Sequence, residues 1–328
     1  MMFRVLAQLV LATTLLQFFP ADNGVVEQYA SLPNNEDRSV AIVQEAVSSL
    51  DPELFGVERV ELSPTKTDVT SVGVVTSAVS ALVMDRRTGE ILYEKNSDQA
   101  RSVGSITKLM TAYVFLKGNP DLDAKAAIVS NDLRYGGIQH IKLNDEVAVR
   151  NLLYASLVGS DNSATAALAR LSGLPLGDFI ARMNEAAAEF GMQNTTFADT
   201  TGLSSQNRSI APDIAKLLDQ VLGSEVIMDA TQQPSISFVG ASGRTYFIES
   251  TDELLGSYLN QEPYEIIGAK TGFLPEAGYC LGTVFSRQGR SEIIVVALGS
   301  ETKQGRFQDV KSLAAWVYKV FEWPEDIL

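Results

Sequence analysis

From Ser80 onward the chain switches between two hydrophobic rhythms. Ser80–Asp85 and residues 90–94 are short apolar runs separated by Arg86-Arg-Thr-Gly89, a pattern that predicts two strands joined as a hairpin. Between Ser105 and about Leu222 the apolar positions recur every three to four residues. That spacing predicts helices over 105–116, 147–157, 163–171, 178–190 and 211–221, the first stopped by Gly118 and Pro120. Strand-like runs return at 264–269, 279–285 and 292–298, the last two joined by Ser286-Arg-Gln-Gly289, and an amphipathic helix covers about 306–321. Strands, a helical block, more strands and a closing helix predict an α+β fold. One antiparallel sheet is expected, built from both strand groups, flanked by N- and C-terminal elements and with the helical block inserted.

The N-terminal quarter lacks such a rhythm. Arg4 is followed by an apolar run from Val5 to Phe19, so residues 1–24 read as a secretory signal or a retained anchor. This run is short for a membrane span. Residues 25–75 hold the polar cluster Pro33-Asn-Asn-Glu-Asp-Arg38, a short helical pattern at 40–50, and a Ser/Thr/Val stretch. They read as a linker or small appendage, partly disordered, leaving 76–328 as the main domain.

Composition narrows the chemistry. With 26 Lys plus Arg against 40 Asp plus Glu, the net charge is -14, and no basic run offsets it. Such a surface repels phosphate backbones, which argues against nucleic acid as a partner. Cys280 is the only cysteine and His140 the only histidine. An intramolecular disulfide, a multi-cysteine zinc site and a two-histidine metal site are therefore excluded. A serine hydrolase of the Ser-His-Asp kind would have to run through His140, which reads as an edge residue, so another base is expected.

Three short motifs carry candidate chemistry. Ser105-Ile-Thr-Lys108 opens an apolar helix, so its offset of three puts hydroxyl and amine on one face, a turn apart. Apolar neighbours Ile106, Leu109 and Met110 would desolvate Lys108 and favour its uncharged form. An uncharged Lys108 is able to take the proton of Ser105. Ser63-Pro-Thr-Lys66 has the same spacing but is followed by a polar, β-branched run ending in Gly73, and reads as a decoy. Ser160-Asp-Asn162 lies between two predicted helices, where both polar side chains turn into one cleft; Ser205-Gln-Asn207 repeats it within a turn-rich stretch and is a second decoy. Lys270-Thr-Gly272 ends the 264–269 run. There a lysine supplies positive charge for a carboxylate, and a glycine admits a ligand close to the backbone.

In this order the three motifs are the signature of penicillin-binding proteins and class A β-lactamases. The segments Ser105-Ile-Thr-Lys-Leu-Met-Thr-Ala112, Gly191-Met-Gln-Asn-Thr-Thr-Phe197, Thr201-Gly-Leu203 and Lys270-Thr-Gly-Phe-Leu-Pro-Glu-Ala-Gly-Tyr-Cys-Leu281 closely resemble the low-molecular-mass D-alanyl-D-alanine carboxypeptidases, over roughly residues 77–323. The resemblance implies Ser105 as nucleophile, Lys108 as its base, Ser160 as a proton relay, and Asn162 holding Lys108 and the substrate amide. It implies Lys270, Thr271 and Arg306 at the substrate's terminal carboxylate, Gly272 beside it, and the amides of Ser105 and Phe273 as oxyanion hole.

No cofactor or metal is implied. The implied partners are a peptidoglycan stem peptide and, as covalent inhibitors, β-lactams, in an extracytoplasmic location. Many relatives add a C-terminal β-rich domain and a membrane helix; with the chain ending at Leu328, membrane contact is expected only through the N-terminal apolar segment.

Some residues depart from the family pattern. Val103-Gly104 precedes the serine in place of a small apolar pair, and Gly137-Ile-Gln-His-Ile-Lys142 replaces a hydrophobic run at the cleft edge. Two alternatives stay open: a D,D-endopeptidase cutting cross-links, suggested by Thr201-Gly-Leu-Ser-Ser-Gln-Asn207, and a non-catalytic penicillin-binding wall scaffold. A class A β-lactamase is disfavoured, because no Glu-x-x-Leu-Asn string occurs.

Overall fold

The structure is a computed structural model and describes residues 63–288 and 291–324. The expected signal or anchor, and the helical pattern at 40–50, lie outside the described residues.

Strand β1 (Thr65–Lys66) is followed by β2 (Ser80–Asp85), β3 (Ile91–Lys95) and β4 (Arg101–Ser102). The helical block holds α1 (Thr107–Lys117), the pair β5 (Lys125–Ala127) and β6 (Glu146–Ala148), then α2 (Val149–Leu157), α3 (Asn162–Leu171) and α4 (Leu176–Glu189). It continues through β7 (Arg208–Ser209), α5 (Ala211–Val221) and α6 (Glu225–Gln232) to a hairpin of β8 (Ser235–Val239) and β9 (Thr245–Glu249). The chain then returns to the sheet as β10 (Tyr264–Leu274), β11 (Gly278–Arg287) and β12 (Ser291–Ser300), and closes with α7 (Lys303–Val320) and β13 (Phe321–Glu322).

The main sheet has five strands in the order β10-β11-β12-β2-β3, each pair antiparallel. This is the expected α+β architecture: strands from both ends of the sequence form one sheet around an inserted helical block. Successive residues of β12 serve opposite layers. Ile294, Val296 and Leu298 join the core under the helical block, while Ile293, Val295 and Ala297 join the core under α7. A strand buried on both faces reads as a continuous apolar run, which is why 292–298 shows no alternation in sequence.

Local chemistry sets the ends of several elements. The Asp161 side chain accepts the amide of Ala164 at 2.9 Å and starts α3. Thr302 caps α7 through the amide of Gly305 at 2.8 Å, so this helix begins three residues before the expected Arg306. The first expected residues of α2 are instead drawn into β6 by pairing with β5. Strand β10 runs on to Leu274 rather than ending at 269, because Lys270, Thr271 and Gly272 keep register with Gly282, Leu281 and Cys280.

The stretch from Ser63 to Val75, expected as the end of a tether, is tied to the C-terminal elements. Thr65 and Lys66 pair with Glu322 and Phe321, and the Trp316 indole donates to Ser71 Oγ at 2.7 Å. These contacts tie the stretch before residue 75 to the C-terminal elements, while Val69, Val72 and Val75 stay exposed. Helix α6 and the β8–β9 hairpin were not anticipated. The alternation in Ser235-Ile-Ser-Phe-Val239 and the Gly240-Ala-Ser-Gly243 turn were the available signal.

Candidate active site

Ser105 sits in a 3-10 turn, Gly104–Ile106, that leads into α1, so it precedes the α-helix rather than opening it. Three backbones converge on this turn. A Cβ on Gly272 would lie 2.3 Å from the Val103 carbonyl oxygen, one on Gly104 2.7 Å from the Phe273 amide nitrogen, and one on Gly202 2.0 Å from the Gly104 oxygen. Gly104 and Gly202 also have positive φ, at 54° and 87°. Glycine at these positions lets β10 and the 199–204 loop close on Ser105 without a steric barrier.

Lys108 projects from the first turn of α1 and is fully buried. Its Nζ lies 2.9 Å from Ser105 Oγ, 2.6 Å from Asn162 Oδ1 and 2.6 Å from the Thr201 carbonyl. The two carbonyl-type oxygens can only accept. An uncharged amine has two hydrogens, and both are thereby taken, so its lone pair is left to the Ser105 hydroxyl. Burial lowers the Lys108 pKa to about 7, against the opposing pull of Asp199 and Asp161.

The 160–162 loop supplies the far wall. Ser160 holds a left-handed conformation, φ 58°, which costs of order 1–3 kcal/mol for a residue with a side chain. In that conformation its Oγ lies 3.1 Å from Lys270 Nζ. Asn162 opens α3, gives its oxygen to Lys108, and donates its amide to the Gly136 carbonyl. Lys270, in β10, is also buried, and desolvation, then the charges of Lys108 and Arg306, push its pKa well below the usual lysine value. Thr271 Oγ1 is 2.7 Å from Thr251 Oγ1. Arg306 reaches from α7 into the same region. Its Nη1 donates to the Gly272 carbonyl at 3.2 Å, and it is buried rather than a surface arginine.

These residues line a cleft of about 690 Å³ whose apolar rim includes Ile138, Leu203, Phe247 and Phe273. Phe273 stacks on Tyr279 with ring centroids 4.4 Å apart. The structure thus brings Ser105, Lys108, Ser160, Asn162, Lys270, Thr271, Gly272, Phe273 and Arg306 to one place. His140 sits in the cleft wall and hydrogen-bonds Gly159 and Asp161 rather than the Ser105–Lys108 pair.

Both decoys fall outside the constellation. Lys66 gives its amine to the Ser71 carbonyl and lies over the Trp316 ring, at the opposite layer from the cleft. Asn207 is buried and organises the 198–204 loop, accepting the amides of Ala198 and Asp199 and donating to Thr107 Oγ1 at 3.1 Å. Sequence reading missed what that loop contributes. The Asp199 carboxylate gathers the amides of Thr201, Gly202 and Ser204, and so holds the Thr201 carbonyl against Lys108. A carboxylate two residues before Thr201-Gly202 was the available signal, since aspartate commonly caps such turns. The Thr251 contact to Thr271 had no signal in sequence.

Comparison with known proteins agrees with this geometry. The sequence matches the D-alanyl-D-alanine carboxypeptidase family over residues 66–302. It is 32% identical over 243 residues to a D-alanyl-D-alanine endopeptidase of Pseudomonas aeruginosa, covering 73% of this chain and 76% of that protein. The Streptomyces K15 DD-transpeptidase structure superposes with a TM-score of 0.70 at 30% identity, covering 76% of this chain and all of the other. Penicillin-binding protein D2 of Listeria monocytogenes, in its cefotaxime-bound form, gives a TM-score of 0.66 at 30% identity over the same shares. With its fold, its buried serine–lysine pair and a family match across most of its length, the chain belongs to the D-alanyl-D-alanine carboxypeptidase family of serine peptidases.

Proposed function

We propose that the protein removes the terminal D-alanine from peptidoglycan stem peptides through an acyl-enzyme on Ser105. Uncharged Lys108 takes the hydroxyl proton as Ser105 Oγ attacks the carbonyl carbon of the D-Ala-D-Ala peptide bond. The amides of Ser105 and Phe273 receive the developing oxyanion; each such donor contributes about 3 kcal/mol of barrier lowering. Ser160, hydrogen-bonded to Lys270, relays the proton held by Lys108 to the departing amine, so D-alanine leaves and Lys108 is uncharged again. Water then attacks the ester carbonyl and gives a proton to Lys108; as the tetrahedral adduct collapses, that proton passes to Ser105 Oγ, which is regenerated as the shortened peptide acid leaves. Asn162 holds Lys108 and the substrate amide, while Lys270, Thr271 and Arg306 hold the terminal carboxylate beside Gly272. The observation that carries this reading is the three-way contact of the buried Lys108 amine, which leaves its lone pair to Ser105.

β-Lactams are expected to acylate the same serine, as the cefotaxime-bound Listeria relative suggests. The substrate lies outside the cytoplasm, so the enzyme works there, with residues 1–24 as its signal or anchor and its membrane contact.

The endopeptidase reading keeps one kind of specific support, the endopeptidase name of several relatives, those of Pseudomonas aeruginosa, Haemophilus influenzae and Escherichia coli among them. A single experiment separates the two. Purified protein receives a pentapeptide ending in D-Ala-D-Ala and, separately, a cross-linked peptide dimer. Release of free D-alanine supports the proposal, and cleavage of the dimer alone overturns it in favour of the endopeptidase. Labelling by a fluorescent penicillin that persists in Ser105→Ala would remove the nucleophile assignment.

A further inference from the structure

Behind the carboxylate end of the cleft lies a second acidic group that the mechanism above does not use. Asp252 follows Thr251, whose hydroxyl is hydrogen-bonded to that of Thr271 in β10 at 2.7 Å, and its side chain is buried. Its Oδ1 accepts the amide of Leu254 at 3.0 Å, but its buried Oδ2 has no hydrogen-bond partner. Arg306 Nε is likewise buried and unpartnered, while the same guanidinium donates through Nη1 to the Gly272 carbonyl at 3.2 Å. Two opposite charges are thus enclosed within electrostatic reach of one another, yet neither is consumed by an ion pair between them.

We propose that Asp252 is a positioning residue of the carboxylate site, and that its charge state sets how strongly Arg306 holds the substrate's terminal carboxylate. This rests on the carboxypeptidase reading above. The charged groups facing Asp252 are Arg306 from α7, Lys270 from β10 and Glu253 from its own 3-10 turn, with Lys303 engaged by Glu253 at 2.8 Å. Burial pushes the Asp252 carboxyl up to about 6, although Arg306 and Lys270 pull it down. It therefore titrates near neutrality instead of staying ionised as a surface aspartate does.

The direction follows from charge. Ionised Asp252 cancels part of the positive potential of Arg306, and a second carboxylate bound in front of it is repelled. Protonated Asp252 leaves that potential to the substrate. Binding of a carboxylate-ended peptide should tighten as pH falls through about 6. A peptide ending in an amide should not respond.

The test measures equilibrium binding by calorimetry from pH 5 to 8, in a Ser105→Ala background that removes turnover. The ligands are an N-acetylated tripeptide ending in D-Ala-D-Ala and its C-terminal amide. With Asp252 intact, Kd for the acid should rise about tenfold from pH 5 to 8, the size of one unit charge acting through partly buried protein. With Asp252→Asn, which keeps the side-chain oxygen for Leu254, the acid should lose the part of its pH response centred near 6 and keep only that of Lys108 near 7, and the amide should be unchanged. An acid profile that Asp252→Asn leaves untouched, or equal changes for acid and amide, would overturn the proposal; unchanged thermal melting confirms that the variant folds. Failure of the underlying reading looks different, because the wild-type protein would then release no D-alanine.

Discussion

Two stretches of this chain have the same spelling and opposite fates. Ser63-Pro-Thr-Lys66 and Ser105-Ile-Thr-Lys108 each place a lysine three residues beyond a serine. The first passes through a two-residue strand, where side chains do not return to one face after three residues, and its amine ends on the Ser71 carbonyl above Trp316. The second turns into α1, where three residues make nearly one turn, and its amine ends 2.9 Å from the hydroxyl. Burial completes the difference. Lys108 is enclosed by the helical block and loses the solvation that would keep it charged, whereas Lys66 stays half-exposed. Spacing therefore becomes chemistry only where secondary structure aligns the pair and tertiary packing dries it.

The largest expected effect comes from exchanging the two serines for alanine. Ser105→Ala should lower the rate of penicillin acylation by at least about 10⁴-fold, whereas Ser63→Ala should leave it unchanged; stopped-flow labelling reads both. Next, Lys108→Met should slow acylation by about 10²–10⁴-fold, the range of a lost general base, and Lys66→Met should not. In the Lys108 variant two opposing effects on melting meet: stranding of Asn162 Oδ1 and the Thr201 carbonyl, and loss of a buried amine whose charging opposes folding. Folding lowers that pKa from 10.5 to about 7, so the unfolded chain binds more protons between those values. The Lys108 contribution to stability therefore increases with pH across that window.

A smaller effect separates the two Ser-x-Asn motifs. Asn162→Ala should slow acylation about 10²-fold with a modest change in melting, since Asn162 Oδ1 fixes the orientation of Lys108. Asn207→Ala should instead cost about 1–3 kcal/mol of stability, because it removes a buried side chain that holds the amides of Ala198 and Asp199 and donates to Thr107 Oγ1. Comparable in size to the Asn162 effect is the pH response of the wild-type protein. The reactive form of Lys108 is deprotonated, so acylation should climb about tenfold per pH unit below about 7 and level above it. A profile flat from pH 5 to 8 would contradict the role assigned to Lys108.

Legibility followed the range of the interactions. Periodicity located the hairpin of β2 and β3, the helices α1 to α5 and the three returning strands, since burial of one face or both leaves its mark residue by residue. It missed α6 and the β8–β9 hairpin, and it ended β10 too early, because the register of 270–274 depends on the partner strand β11. The motif order named the residues that the fold gathers around the cleft. It did not reveal Asp199 or Thr251, whose functions depend on contacts to Thr201 and Thr271 across the fold.

From composition and local spacing alone, the chain already determined its α+β class, a serine–lysine pair on one helical turn, and a family of candidates for their partners. Only the tertiary structure decided which serine–lysine pair is dry, which carbonyls occupy the hydrogens of Lys108, and that Arg306 is enclosed beside an unpaired carboxyl. The reason is physical: backbone geometry is encoded within a few residues, whereas desolvation and electrostatic potential are sums over neighbours that are distant in sequence and are assembled only on folding.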